Sequence, residues 1–325
     1  MNKEELFNKY SNNLKDILSF FPNIKFKKDD IYVCPLCKRS FERSSLKHNS
    51  KTPLTLEHIL PSSVGGKETV LTCKQCNNSH GSIFDSQLKK MLETKKFGDK
   101  TPGASKNASF MINNSIPTNG RIFFNRDGKA NFLFNPERTN PKFHNAIENI
   151  FKSEQLKFDV NFTIQTFDKN KFDLALLRTA YLKAFKELGY AFIYSVNSDK
   201  LRNLIMNYNN EESKFEGVYT NSIFPNTLDL YYFKKPPNLK GYLVTISIKS
   251  GNLTEVYGVV LPGADEIGAE IYSELSRMKD NKYKSKLTEI QMTRIRWEDV
   301  MKDKDDSLLA LTLWGSNITA TNMAR

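Results

Sequence analysis

No apolar run in this chain approaches the roughly 20 residues that span a bilayer, and the opening Met1-Asn2-Lys3-Glu4-Glu5 lacks the basic start and apolar core of a secretory signal. No membrane partner is therefore expected, and the cytoplasm is the expected location. Internal repeats and low-complexity tracts are also missing. What remains, 39% hydrophobic and 26% charged residues, is the balance of an ordinary globular protein. At 325 residues the chain exceeds one average domain, which suggests about two.

Acidic residues are in deficit: 36 against 48 lysines and arginines, for a net charge of +12. Such an excess raises the local potential and attracts polyanions, nucleic acid first among them, although a positive charge also serves solubility alone. The first 100 residues hold 18 basic against 11 acidic side chains, so the excess is densest there.

Cysteine is scarce, yet the four present form two equally spaced pairs, Cys34 with Cys37 and Cys73 with Cys76. Each Cys-x-x-Cys loop aims two thiolates at one ion, and two loops close a tetrahedral zinc shell. Disulfides are the competing reading. A reducing compartment and a chain long enough to build its own core weigh against them.

Helical spacing of Leu6, Tyr10, Leu14, Ile17 and Leu18 predicts a leading helix over Glu4–Phe20. Ile31-Tyr32-Val33 reads as a strand delivering the first cysteine pair, and Leu54–Ile59 alternates as a second, stopped by Pro61. Gly65-Gly66 supplies a turn, Val70-Leu71 an extended return, and a helix is expected from Lys74 to Leu92. Residues 98–108 read as a linker. Beyond it the sequence suggests a hairpin across Asp127-Gly128 and helices at Pro141–Lys152 and Phe172–Leu188, the latter closed by Gly189. A second hairpin is expected between Tyr242–Ile248 and Val256–Leu261, followed by a helix over Asp265–Met278. The fold class is α+β. The expected division is an N-terminal helix at 1–30, a zinc-stapled module at 31–97, the linker, and a mixed region at 109–325 for targeting, specificity or sensing, with room for two subdomains.

Cutting a phosphodiester needs a nucleophilic water, a base to deprotonate it, and a cation to neutralise charge on the phosphate and leaving oxygen. Hard oxygen ligands hold such a cation, and an imidazole suits the base. Glu57 offers a carboxylate, Asn77 an amide oxygen and His58 the base, all inside the cysteine-bounded unit. Alternation sends Glu57 and His58 to opposite faces of their strand unless a bulge intervenes. Without catalysis, the same residues are an ordinary strand end in a zinc module that binds nucleic acid within a larger complex.

The run Leu56-Glu57-His58-Ile59-Leu60-Pro61, then Gly65-Gly66, then Cys73-Lys74-Gln75-Cys76-Asn77-Asn78-Ser79-His80-Gly81 with Asp85, resembles the HNH endonucleases of the His-Me finger, or ββα-metal, group. The likeness is to their four-cysteine subgroup with a Glu-His-Ile-x-Pro signature, and it spans about residues 32–88. It implies that His58 activates water, that Glu57 and Asn77 ligate Mg2+ or another divalent cation, and that Cys34, Cys37, Cys73 and Cys76 bind a structural Zn2+ away from the chemistry. Many relatives carry an asparagine before the return strand to orient the histidine; here the sequence is Glu68-Thr69-Val70-Leu71. His80, three residues after Asn77, is either a further ligand or phosphate contact or a surface histidine near a helix start. His48 and His144 read as solvated and structural. Lys67, Lys74, Lys89 and Lys90 either grip phosphates or are simply solvated.

The resulting expectation is a hydrolase of DNA, with RNA left open, of the restriction or anti-phage kind. A homodimer would let a single-site nuclease cut both strands. A protein or small-molecule regulator of the C-terminal region is the alternative role for residues 109–325. Arg121–Phe124 and Tyr231–Lys235 mix aromatic and basic residues as nucleic-acid platforms do, and strand core with snorkelling cations explains them equally well.

Overall fold

Asn2 caps the first helix of the computed structural model: its side chain accepts from the Glu5 amide while Glu5 reaches back to the Asn2 amide, a capping box that satisfies two orphan donors. The structure describes residues 1–21, 30–47, 49–134, 139–152, 160–164, 166–210, 214–220, 224–236, 239–264, 266–279, 290–301 and 304–305; His48 lies outside them. Its described residues cluster into two units, one of residues 1–86 with 169–325, the other of residues 87–168.

In the first unit, α1 (Lys3–Leu18) buries Leu6, Phe7, Tyr10, Leu14 and Ile17. The short strands β1 (Ile31–Val33) and β2 (Ser40–Glu42) pair antiparallel around the first cysteine loop. Strands β3 (Leu54–His58) and β4 (Thr69–Cys73) pair antiparallel with an unbroken register from Leu54–Cys73 to His58–Thr69. Helix α2 (Lys74–Gly98) follows directly, giving the expected strand, loop, strand, helix order. Between the strands, Gly66 is required by space: a Cβ there would lie 1.6 Å from the Leu60 carbonyl oxygen.

Helix α2 runs six residues past its expected end and continues into the second unit. There the supposed linker is a turn ending at β5 (Ser105–Ile112), which heads a four-stranded antiparallel sheet with β6 (Ile116–Phe124), β7 (Ala130–Phe134) and, after α3 (His144–Lys152), β8 (Val160–Ile164). The strand order is β7-β6-β5-β8, and the expected Asp127-Gly128 hairpin joins β6 to β7. Ala108, Phe110 and Ile122 form its core, with Phe97 against it. His144 Nε2 lies 3.2 Å from the Thr139 carbonyl, a structural contact.

The chain then returns to the first unit as α4 (Lys169–Ile193), a helix buried on nearly every side. An all-round buried helix sits in the centre of a core. Gly189 interrupts it at φ 59°, where a Cβ would collide with Asn13; the Asn13 side chain accepts from the Tyr190 amide at 2.9 Å. Helix α5 (Val196–Met206) follows. Strands β9 (Val218–Thr220), β10 (Asp229–Lys235), β11 (Gly241–Ser250) and β12 (Leu253–Pro262), then short α6 (Glu266–Ala269), α7 (Ile271–Lys279), β13 (Gln291–Ile295) and α8 (Trp297–Val300), complete it. The sheet order is β13-β10-β11-β12-β9. Phe233 and Tyr231 belong to its core cluster while Lys234 and Lys235 are exposed, so the aromatic run of β10 is strand core with solvated cations.

Two tyrosine hydroxyls of α4 join this core to the cysteine module, and a third, on β1, ties that module together. Tyr190 donates to the Val33 carbonyl at 2.7 Å, Tyr181 to that of Pro35 at 3.2 Å, and Tyr32 to that of Leu71 at 2.6 Å. The module and residues 169 onward therefore share one interior. No described helix is long and apolar enough to cross a membrane.

Candidate active site

The first cysteine loop is shaped by its own backbone. The Lys38 amide returns to the Cys34 carbonyl at 2.9 Å, and Lys38 takes φ 57° to do so. The second pair sits where β4 becomes α2. The Cys73 amide donates to Cys34 Sγ and the Cys76 amide to Cys73 Sγ, both at 3.5 Å.

All four cysteines are free, with their sulfurs within 4.8 Å of one another. Cys37 and Cys73 Sγ lie 3.7 Å apart; sulfurs at a zinc–sulfur bond of 2.3 Å in a tetrahedron stand about 3.8 Å apart. The cluster thus fits a zinc ion, and no disulfide joins the four cysteines. Arg39 donates to Cys37 and Cys73 Sγ, both at 3.4 Å, and to Gln75 Oε1 at 2.7 Å. The Arg39 guanidinium against Cys37 and Cys73 favours their thiolate forms, the forms that bind a metal. Beside the cluster lies an open cleft of about 280 Å³ whose basic lining residues are Arg39, Lys51 and Lys74.

Strand β3 presents Glu57 and His58 as alternation dictates. Glu57 is buried and His58 exposed, and the unbroken register with β4 leaves no bulge to bring them to one face. Thr55 shares a face with Glu57. Asn77, on the first turn of α2, donates from Nδ2 to Thr55 Oγ1 at 3.0 Å and to the Leu56 carbonyl at 3.3 Å. The helix therefore covers the Glu57 face, and Asn77 and Glu57 share it. Among the described residues nothing hydrogen-bonds the Asn77 Oδ1 atom or the His58 imidazole; Thr69 is the residue opposite His58.

Glu57 is 5% exposed. Its Oε1 accepts from Arg178 Nη2 of α4 at 2.5 Å, while its Oε2 and Arg178 Nε are buried without a hydrogen-bond partner. His80 is buried, not a surface histidine: its ring packs on Phe84 and Tyr208, with centroids 6.0 and 5.7 Å away. Its Nδ1 is likewise buried without a hydrogen-bond partner. Burial, and then the Arg178 charge, lower its pKa to about 4, so the imidazole is neutral near pH 7. Asp85, two turns beyond Asn77, feels Arg178, Glu57 and His58; burial pushes its carboxyl up to about 6. Asp85 thus feels both members of the Glu57–Arg178 pair, and His80 feels Arg178. Arg178 has no local sequence signal, being 121 positions from Glu57.

The suggested phosphate contacts are dispersed. Lys67 and Lys74 are exposed. Lys89 lies 3.9 Å from Glu93, and Lys90 lines a separate cleft of the second unit together with Lys106 and Arg121.

Residues 34–93 match the HNH endonuclease family, the family suggested by the motif, over the stretch from the first cysteine through most of α2. No curated protein and no solved structure matches the chain.

Proposed function

We propose that this protein is a divalent-metal-dependent DNA endonuclease whose β3-β4-α2 unit hydrolyses phosphodiester bonds. The observation that carries the reading is the buried, unpartnered Oε2 of Glu57 on the β3 face covered by Asn77, with His58 exposed at the end of the same strand on its other face. A buried carboxylate oxygen without a donor calls for a partner, and a hard cation is the partner such an atom suits. Glu57 and Asn77 Oδ1 would hold the cation, with His80 Nδ1 the further candidate on α2. When bound, such a cation neutralises charge building on the phosphate and the leaving oxygen.

His58, open to solvent, accepts the proton of the attacking water. Asn77 is held in place by Thr55 and Leu56, so its amide oxygen needs no reorganisation. The Cys34, Cys37, Cys73, Cys76 zinc fixes the start of α2, and with it Asn77, the residue after Cys76. The net charge of +12 supports a polyanionic substrate such as nucleic acid. A nuclease unit within a larger chain is the layout of restriction and anti-phage enzymes, and we extend the proposal by that analogy to a cytoplasmic defence role, in a homodimer where both strands are cut.

The test is incubation of the full chain with plasmid and a panel of divalent cations, beside His58→Ala. Metal-dependent nicking lost in the variant supports the reading. Cleavage by neither protein with any cation, while DNA is still bound, would leave the non-catalytic nucleic-acid module instead.

A further inference from the structure

The Glu57–Arg178 pair is incomplete in a particular way. A guanidinium can grip a carboxylate with two parallel hydrogen bonds, yet here only Nη2 meets Oε1, and both Oε2 and Nε are left unpartnered in the interior. Both side chains are almost wholly buried, at 2% and 6% exposure. A pair serving packing alone would close its second oxygen, since each unpaired buried polar atom is costly. Arg178 also stands on a helix hydrogen-bonded to the first cysteine loop and strand: one turn on, Tyr181 donates to the Pro35 carbonyl inside that loop, and Tyr190 both donates to and accepts from the Val33 backbone. The guanidinium is thereby tied to the same loop that holds the zinc cysteines.

We propose that Arg178 is a positioning residue of the catalytic metal centre, holding Glu57 by Oε1 so that Oε2 stays free and fixed for the divalent cation. This rests on the nuclease reading and adds to it that α4, outside the segment matched to the HNH family, completes the site. Arg178 touches neither cation nor substrate; it acts through Glu57. The HNH segment alone is accordingly an incomplete enzyme, because the group that immobilises its buried ligand comes from the following region. The opposite possibility, a guanidinium that competes with the cation for Glu57, predicts the reverse response.

The test uses the full-length zinc-loaded chain as wild type, Arg178→Lys and Arg178→Met. Mn2+ binding is measured by titration calorimetry and plasmid cleavage as a function of Mn2+ concentration. Loss of a group that orients a metal ligand typically weakens affinity about 10- to 100-fold. That loss is expected for Arg178→Met, with cleavage recovering at saturating Mn2+ and Arg178→Lys restoring part of the affinity. Unchanged or tighter Mn2+ binding in Arg178→Met would overturn the proposal, tighter binding identifying the guanidinium as a competitor. Zinc content and melting check folding; should Arg178→Met fail to fold, wild-type Mn2+ affinity in Arg178→Lys would overturn the proposal instead. Weakened Mn2+ binding in Arg178→Met alongside undiminished cleavage by His58→Ala would sink the assigned chemistry and leave the positioning role standing.

Discussion

Arg178 and Glu57 meet across 2.5 Å in the interior, the one on α4 and the other on β3, and each leaves a buried nitrogen or oxygen unpartnered. Removing one member strands the other as an uncompensated buried charge, a loss of about 3–5 kcal/mol. Arg178→Met should therefore lower the midpoint of urea unfolding sharply. Adding Glu57→Gln to it should recover much of the loss, because the stranded charge is gone. Equilibrium unfolding of the two single variants and the double variant measures this directly; additive losses would mean that the pair does not interact.

The cysteine cluster should hold about one zinc per chain, and its loss should spread beyond the N-terminal module. Tyr181 and Tyr190 hydrogen-bond the backbone of the first cysteine strand and loop, so Cys73→Ser should loosen α4 as well as residues 31–98. Elemental analysis of protein purified without chelators, and hydrogen exchange along α4, are the measurements. Zinc-free protein with native protection in α4 would remove both the ion and the coupling.

Two groups that feel the Arg178 charge titrate in opposite senses. Burial raises Asp85 from 3.8 to about 6, so between those values the folded state binds more protons than the unfolded one, and stability from this group falls as pH rises. Burial lowers His80 from 6.5 to about 4, so stability from this group falls as pH drops through that interval. Asp85→Asn should consequently stabilise the protein at pH 8, on the order of 1–2 kcal/mol after solvent screening, and do little near pH 3.5. Thermal melting at the two pH values, without added divalent cation, is the check; equal gains at both would show that the effect is not ionisation.

The parts of the molecule legible in the sequence were those set by short spacing. Two Cys-x-x-Cys loops, the strand at Leu54–His58 and the Gly65-Gly66 turn each act within a few residues and each reappears in the structure, although Leu56 is exposed and Glu57 buried, the reverse of their polarity. The stretch around 98–108 was misleading because Lys106 occupies a buried position of β5, where its ammonium donates to Thr94 Oγ1 at 3.1 Å; a lysine there hides the alternation of Ala108, Phe110 and Ile112. Helix α4 read as a single apolar stripe, whereas Arg178, Lys183 and Glu187 are buried as well. Lys183 pairs with Glu68 and Glu187, at 2.9 and 2.7 Å, so its charge is satisfied from the residue before β4 and from α4 itself. Partners more than a hundred residues apart leave no local pattern. The place of Arg178 beside Glu57, and the union of residues 169 onward with the cysteine module, needed the fold.

The roles assigned at the site separate by their response to metal. If His58 is the general base, His58→Ala removes an interaction made in the transition state, and such catalysis is worth about 10²- to 10⁴-fold. Cation and DNA binding should then stay near wild type, because the exposed imidazole has no hydrogen-bond partner among the described residues. Glu57→Ala and Asn77→Ala should act partly through cation affinity, so raising the divalent-metal concentration should restore some of their activity. Glu57→Ala carries a further cost, since it leaves Arg178 buried without its carboxylate; its loss of stability should exceed that of Asn77→Ala, which gives up only the bonds to Thr55 and Leu56. Cleavage across a metal titration, read beside melting curves for each variant, resolves the cases. Rescue of His58→Ala by excess metal without rescue of Glu57→Ala would invert the assignment, and normal cutting by all three would place the chemistry elsewhere.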